Sequence, residues 1–190
     1  MSAALKPIMT LEAFLDWESR QEIKYEFDGF RPVAMTGGTW NHAAIQRNLI
    51  GLLYNRLRGH RCQAFGSELK IQAGYSIRYP DAFVVCSPAT PGALVVTDPV
   101  IVFEILSEST SYIDRIDKNR EYRGTPSIQR YVILEQTKPA ATVHARSGDA
   151  WVVEIVVGDA VLDLPEIEAS LSLTELYEGI QFPPDPPITA

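Results

Sequence analysis

The chain has 190 residues, 46% of them hydrophobic and 22% charged. That balance suits one globular domain, 1–190, with a core of its own, and excludes a disordered or fibrous chain. A net charge of −7 excludes a uniformly basic nucleic-acid binder, so any such contact has to come from a local basic patch.

No apolar run is long enough to span a membrane, and the N-terminal segment lacks a signal-peptide core, so the expected compartment is the cytoplasm. Cys62 and Cys86 sit in apolar stretches without metal-type spacing and are expected to be buried and reduced.

In chain order, Thr10 is placed to cap a short helix through Leu11, Phe14, Leu15 and Trp17. Lys24–Phe27 and Arg31–Met35 read as two strands joined at Asp28-Gly29, a pair suited to a hairpin turn. A long helix is expected from about Asn41, with Ile45, Leu49, Leu53 and Leu57 at helical spacing and Gly59 ending it. Strands follow at Cys62–Phe65, Leu69–Ala73, Arg78–Cys86 and Pro99–Leu106. The last two are near-continuous apolar runs, the pattern of central strands covered on both faces.

A further helix, capped among Ser109, Thr110 and Ser111, is expected to end at Gly124. Arg130–Glu135, Thr142–Arg146 and Trp151–Val157 read as a C-terminal meander, and Ser172–Tyr177 as a last helical turn. The Pro-rich tail, 183–190, lacks the backbone donors for regular structure. The fold class is α+β, with a mixed sheet at its centre. Two basic clusters stand out: Arg47, Arg56, Arg58, His60 and Arg61, and then Arg115, Lys118, Arg120 and Arg123. Solvated helix faces account for such charges equally well.

Three segments carry the chemistry. Tyr79-Pro80-Asp81 and Val102-Phe103-Glu104-Ile105-Leu106 each place one acid on an apolar strand, and a polar helix with Asp114, Lys118 and Tyr122 follows. An isolated ionised acid out of water is costly, and two on neighbouring strands repel unless a cation or a proton lies between them. A divalent metal held by Asp81 and Glu104, with a lysine beside it, explains the pair. Hard cations such as Mg²⁺ or Mn²⁺ take oxygen ligands and leave room for water and a phosphate oxygen. Lys118 is the candidate lysine, because spacings of four put Asp114, Lys118 and Tyr122 on one helix face. The plain alternative is an Asp114–Lys118 pair that only supports the helix. Neither a G-x-S-x-G turn nor a phosphate-cradling loop is present.

Taken in order, Tyr25-Glu26-Phe27-Asp28-Gly29, His42, Tyr79-Pro80-Asp81, Phe103-Glu104-Ile105-Leu106-Ser107 and Asp114…Lys118…Tyr122 resemble the Uma-type restriction-endonuclease family (DUF820-like), a branch of the PD-(D/E)xK nuclease superfamily. The resemblance spans positions 25 to 131. It implies a restriction-endonuclease-like mixed sheet flanked by helices and a Mg²⁺ (or Mn²⁺) phosphodiesterase site acting on DNA. Asp81 and Glu104 match the superfamily's metal acids, while Glu26, His42, Asp114 and Tyr122 border the site.

Where the superfamily usually has its lysine, two residues after the second acid, this chain has Leu106. Lys118 is the natural substitute. A homodimer is expected, because cleaving both strands of a duplex needs two sites. The alternative is a nuclease-fold homodimer that binds or scaffolds without cleaving.

Overall fold

The computed structural model describes residues 9–106 and 113–182. Its elements in chain order are α1 (Leu11–Glu18), β1 (Tyr25–Phe27), β2 (Pro32–Ala34), α2 (Trp40–Arg56), β3 (Gln63–Gly66), β4 (Lys70–Ala73), β5 (Ser76–Arg78), β6 (Ala82–Val85), β7 (Val95–Val96) and β8 (Ile101–Ile105). A π-helical turn (Ile113–Lys118) then runs into α3 (Asn119–Gly124). After it come β9 (Arg130–Leu134), β10 (Ala140–Ser147), β11 (Ala150–Val157), β12 (Val161–Leu164), β13 (Ala169–Ser172) and α4 (Leu173–Leu176). The expected tail, and the helix cap at Ser109–Ser111, lie outside the described residues.

Local chemistry explains most of these boundaries. Thr10 and Thr39 cap α1 and α2 by accepting from Ala13 N and His42 N, each satisfying one of the orphan donors of a helix start. At the β1–β2 turn, Asp28 Oδ1 accepts from both Phe30 N and Arg31 N at 2.8 Å. Gly29 takes the left-handed conformation there, with φ of 88°, which costs glycine nothing.

The strands form a six-stranded sheet in the order β11-β10-β9-β8-β6-β3 and a five-stranded sheet in the order β2-β1-β5-β4-β7. A β12–β13 hairpin stands beside them. Within the six-stranded sheet β8 runs parallel to β9 and antiparallel to β6, so the sheet is mixed, as expected. One face packs under α2, where Ile45, Leu49 and Leu53 meet Val84, Ile101, Phe103 and Val132. The other face, with Phe83, Val102, Leu106 and Tyr131, packs against Tyr122 of α3.

Three expectations need correction. Arg78–Cys86 is two strands, not one: β5 belongs to the five-stranded sheet and β6 to the six-stranded sheet. The chain changes sheets at Tyr79-Pro80-Asp81, where Pro80 has no N–H to continue a ladder. The β12–β13 hairpin occupies a stretch that the periodicity left unassigned.

Cys62 and Cys86 are not reduced but form a disulfide, with Cα atoms 3.9 Å apart. They stand 24 positions apart in sequence, yet the antiparallel β3–β6 register pairs Gln63 with Val85, and one further step sets the two cysteines opposite each other.

Candidate functional site

The sheet change at Tyr79-Pro80-Asp81 builds the site. Side chains alternate across a strand with a period of two, so Glu104 shares its face of β8 with Val102 and Leu106, against Tyr122. The β6–β8 register pairs Ala82 with Phe103; one further step sets Asp81 opposite Glu104. Asp81 is fixed there by the Ile105 backbone, whose N–H donates to Asp81 Oδ2 at 2.7 Å. His42, in the first turn of α2, brings Nε2 to 3.1 Å from the same oxygen. One turn further on, Gln46 donates to the Asp81 carbonyl at 2.9 Å.

The π-helical turn and α3 cover the Glu104 face, and they bring the lysine with them. Lys118 Nζ lies 2.9 Å from Glu104 Oε1 and 3.5 Å from Glu26 Oε1. Tyr122 donates its hydroxyl to that same Glu104 oxygen at 2.9 Å. Glu104 is 4% exposed and Lys118 6%, so the pair is genuinely desolvated. The position two residues after Glu104 is filled by buried Leu106, whose carbonyl accepts from Gln136. The lysine therefore arrives on the same face from the covering helix.

Glu26 and Arg78 close the far side. Arg78 donates to Glu26 Oε2 at 3.0 Å and holds Glu121 with two bonds of 2.8 and 2.7 Å. The Tyr79 N–H donates to Glu26 Oε1 at 3.1 Å.

Burial works against ionising Glu26, but the charges of Lys118 and Arg78 and the hydrogen bonds from Tyr79 and Arg78 outweigh it. The carboxyl is held below its ordinary value. For Arg78, burial is likewise outweighed by Glu121 and Glu26, which raise its pKa and keep it charged. Burial, then the Glu104 charge, push the Tyr122 hydroxyl well above its ordinary value, so it stays a hydrogen-bond donor.

The structure brings together Asp81, Glu104, Lys118, Glu26, His42 and Tyr122. The side chain of Asp114 lies outside the described residues. Sequence reasoning missed Arg78, Glu121 and Gln46. Gln46 had a signal, its i,i+4 spacing from His42. An arginine at the end of an apolar strand, directly before the Tyr-Pro-Asp step, was a signal for Arg78.

Among the described residues the second basic cluster is largely tied up in ion pairs, the first only at Arg56. Arg56 pairs with Glu175, Arg115 with Glu135 and Arg120 with Asp117, while Lys118 is buried in the site. Lys24, on the same stretch as Glu26, pairs with Glu68 at 2.8 Å.

The residues present fit a hard divalent cation. Among the described residues Arg78 and Lys118 pair with Glu26, Glu104 and Glu121, while Asp81 is held only by the Ile105 N–H and His42 at its side chain. Asp81 Oδ1 accepts no hydrogen bond from them. No group of three or more His, Cys, Asp or Glu suited to a metal occurs among the described residues, so the protein itself offers a pair of acids. Mg²⁺ commonly works with one or two carboxylates and completes its shell with water and substrate phosphate.

A model of the Uma2 family, described as "Putative restriction endonuclease", matches residues 11–175. An uncharacterized Synechocystis protein, slr1290, is 33% identical over 180 residues, covering 93% of this chain and 95% of its own. A second one, sll1609, is 26% identical over 165 residues, covering 84% and 93%. The crystal structure of "a putative nuclease belonging to DUF820" from Anabaena variabilis superposes with a TM-score of 0.74 at 20% identity, covering 91% of this chain and 99% of that one. That likeness shows a restriction-endonuclease-like fold. The chain belongs to the Uma2 restriction-endonuclease family.

Proposed function

We propose that the protein is a metal-dependent endonuclease that hydrolyses phosphodiester bonds of DNA, with Asp81 and Glu104 holding Mg²⁺ (or Mn²⁺) and Lys118 assisting. The observation that carries this reading is the 2.9 Å contact of Lys118 with Glu104, on the strand next to Asp81. It supplies the cation that the strand itself lacks at Leu106. The family's description and that of the Anabaena structure support the nuclease class.

When bound, the metal lowers the pKa of its water and neutralises charge on the phosphoryl oxygens. The chain's own residues do the rest. The Ile105 N–H and His42 hold one Asp81 oxygen and leave the other turned to the ligand. Tyr122 and Lys118 fix Glu104, and Lys118 keeps a positive charge where charge develops on the phosphate. Arg78 and Glu26 anchor the lysine from behind. Cytoplasmic location and a homodimer belong to the same reading, two sites serving the two strands of a duplex.

The second reading is a nuclease-fold homodimer that binds or scaffolds without cleaving. The net charge of −7 and the pairing of Arg115, Lys118 and Arg120 with acids favour it. Incubating supercoiled plasmid with the protein in millimolar Mg²⁺ or Mn²⁺ decides between them. Nicking that disappears in Asp81→Ala and Glu104→Ala, with the fold retained, is the expected result. Intact plasmid under every condition, with no Mg²⁺- or Mn²⁺-dependent shift in melting temperature, supports the second reading instead.

A further inference from the structure

We infer that β11 is a self-pairing edge: two copies of the chain join along it, antiparallel, into one continuous sheet. The inference rests on the homodimer reading above and supplies its interface.

β11 is eight residues long and, among the described residues, pairs only with β10. Half of its backbone N–H and C=O groups therefore face outward, a ready template for another strand. The other sheet edges are blunted. β2 has three residues and contains Pro32, β7 has two residues, and β3 has four. Only β11 combines length with exposed apolar side chains. Val153, Ile155 and Val157 are 53%, 70% and 55% exposed on one face, and Val152 is 56% exposed on the other. Glu154 is the strand's one charged residue.

The pattern names its own partner. In antiparallel pairing about a two-fold axis perpendicular to the sheet, residues opposite each other share a face. With the axis at Ile155, that residue meets its own copy, and Val153 meets Val157 of the second copy. The three exposed apolar side chains of each copy then form one ladder, symmetric about the most exposed of them. The same register sets Glu154 against Val156 of the second copy. Moving the axis to Glu154 would set the two carboxylates side by side, which disfavours that register. The sites lie away from the seam, since β9 and β10 separate β8 from β11 on each side.

Sedimentation of the full chain at micromolar concentration, with a cysteine-crosslinking arm, tests this. Cys62 and Cys86 are paired with each other, so Ile155→Cys adds a lone thiol. Opposed residues of an antiparallel pair have Cα atoms about 4.5–5.5 Å apart, within disulfide reach. The expected results are a wild-type dimer, a disulfide-linked dimer for Ile155→Cys under mild oxidation, and little crosslinking for Glu154→Cys. Ile155→Lys should sediment at the 21.1 kDa monomer mass with an unchanged circular dichroism spectrum. A dimer that Ile155→Lys leaves intact, with no Ile155→Cys crosslink, overturns this interface while the homodimer reading stands. A wild-type monomer overturns both.

Discussion

The two acids of the site stand in opposite circumstances, although their strands are neighbours. Glu104 is closed in: Lys118 and Tyr122 both hold its Oε1, and behind them Glu26, Arg78 and Glu121 form a buried chain of ion pairs. Asp81 is about as exposed as Glu26 and Glu121 but is less encumbered: one of its oxygens has no hydrogen bond among the described residues. The closed half holds the geometry and the open half meets the ligand. Buried charges that lose one partner are strongly destabilising, whereas a carboxylate replaced by its amide keeps an oxygen to accept a backbone hydrogen bond. The two halves should therefore respond differently to the same kind of substitution.

The largest effect is expected from Arg78→Met. It leaves Glu26 and Glu121 without their shared cation, and breaking such a buried network costs about 3–5 kcal/mol. Asp81→Asn, by contrast, keeps an oxygen for the Ile105 N–H and leaves no buried cation without its partner, so it should cost no more than one ordinary hydrogen bond, about 0.5–1.5 kcal/mol. Urea unfolding of the two variants side by side reads the comparison. Equal losses would show that Asp81 is as structural as Arg78.

Gly38 sharpens the open half. A Cβ there would come within 2.9 Å of the His42 ring, so Gly38→Ala must push the imidazole that holds Asp81. Misplacing a positioning group costs on the order of tenfold to a hundredfold in rate. The nicking rate should fall by about that much, with little change in urea midpoint. An unchanged rate would show that His42 does not orient Asp81 for cleavage.

Acid should act most strongly on the buried carboxylates, and here the sign is definite. Glu26 and Glu18 are both held below their ordinary value of 4.5. Burial works against Glu18 too, but Lys70 and Tyr79 outweigh it. Their contribution to stability is complete above pH 4.5 and is lost as pH falls further. His144 adds an earlier, smaller step. Burial, with Arg123 and Arg115 nearby, lowers its pKa from 6.5, so the fold favours its neutral form and loses stability as pH drops below that value. A melting-temperature series from pH 8 to pH 3 should be flat at the top, decline gently below 6.5 and steeply below 4.5. In His144→Gln the gentle limb should vanish while the steep one remains.

Much of this contrast could be read from the chain. An acid after Val100-Ile101-Val102-Phe103 had to be buried and paired, and a polar helix arriving directly after that strand had to cover its face. That logic led to Lys118 despite Leu106. What could not be read were the pairings of strands far apart in the chain. The position of Arg78 hinted at a role, but its partners did not show: Glu26 stands opposite it only because β1 pairs with β5, and Glu121 comes from α3. The disulfide was hidden for the same reason, since a separation of 24 residues says nothing until β3 and β6 are in register. The β12–β13 hairpin has strands of only four residues each, too short for their alternation to stand out.

A crystal of the protein grown or soaked in millimolar Mn²⁺, with anomalous diffraction data, tests the central claim most directly. The account predicts an anomalous peak between the carboxylates of Asp81 and Glu104, lost in Asp81→Asn. No peak there in a crystal with open solvent access to the site would contradict it.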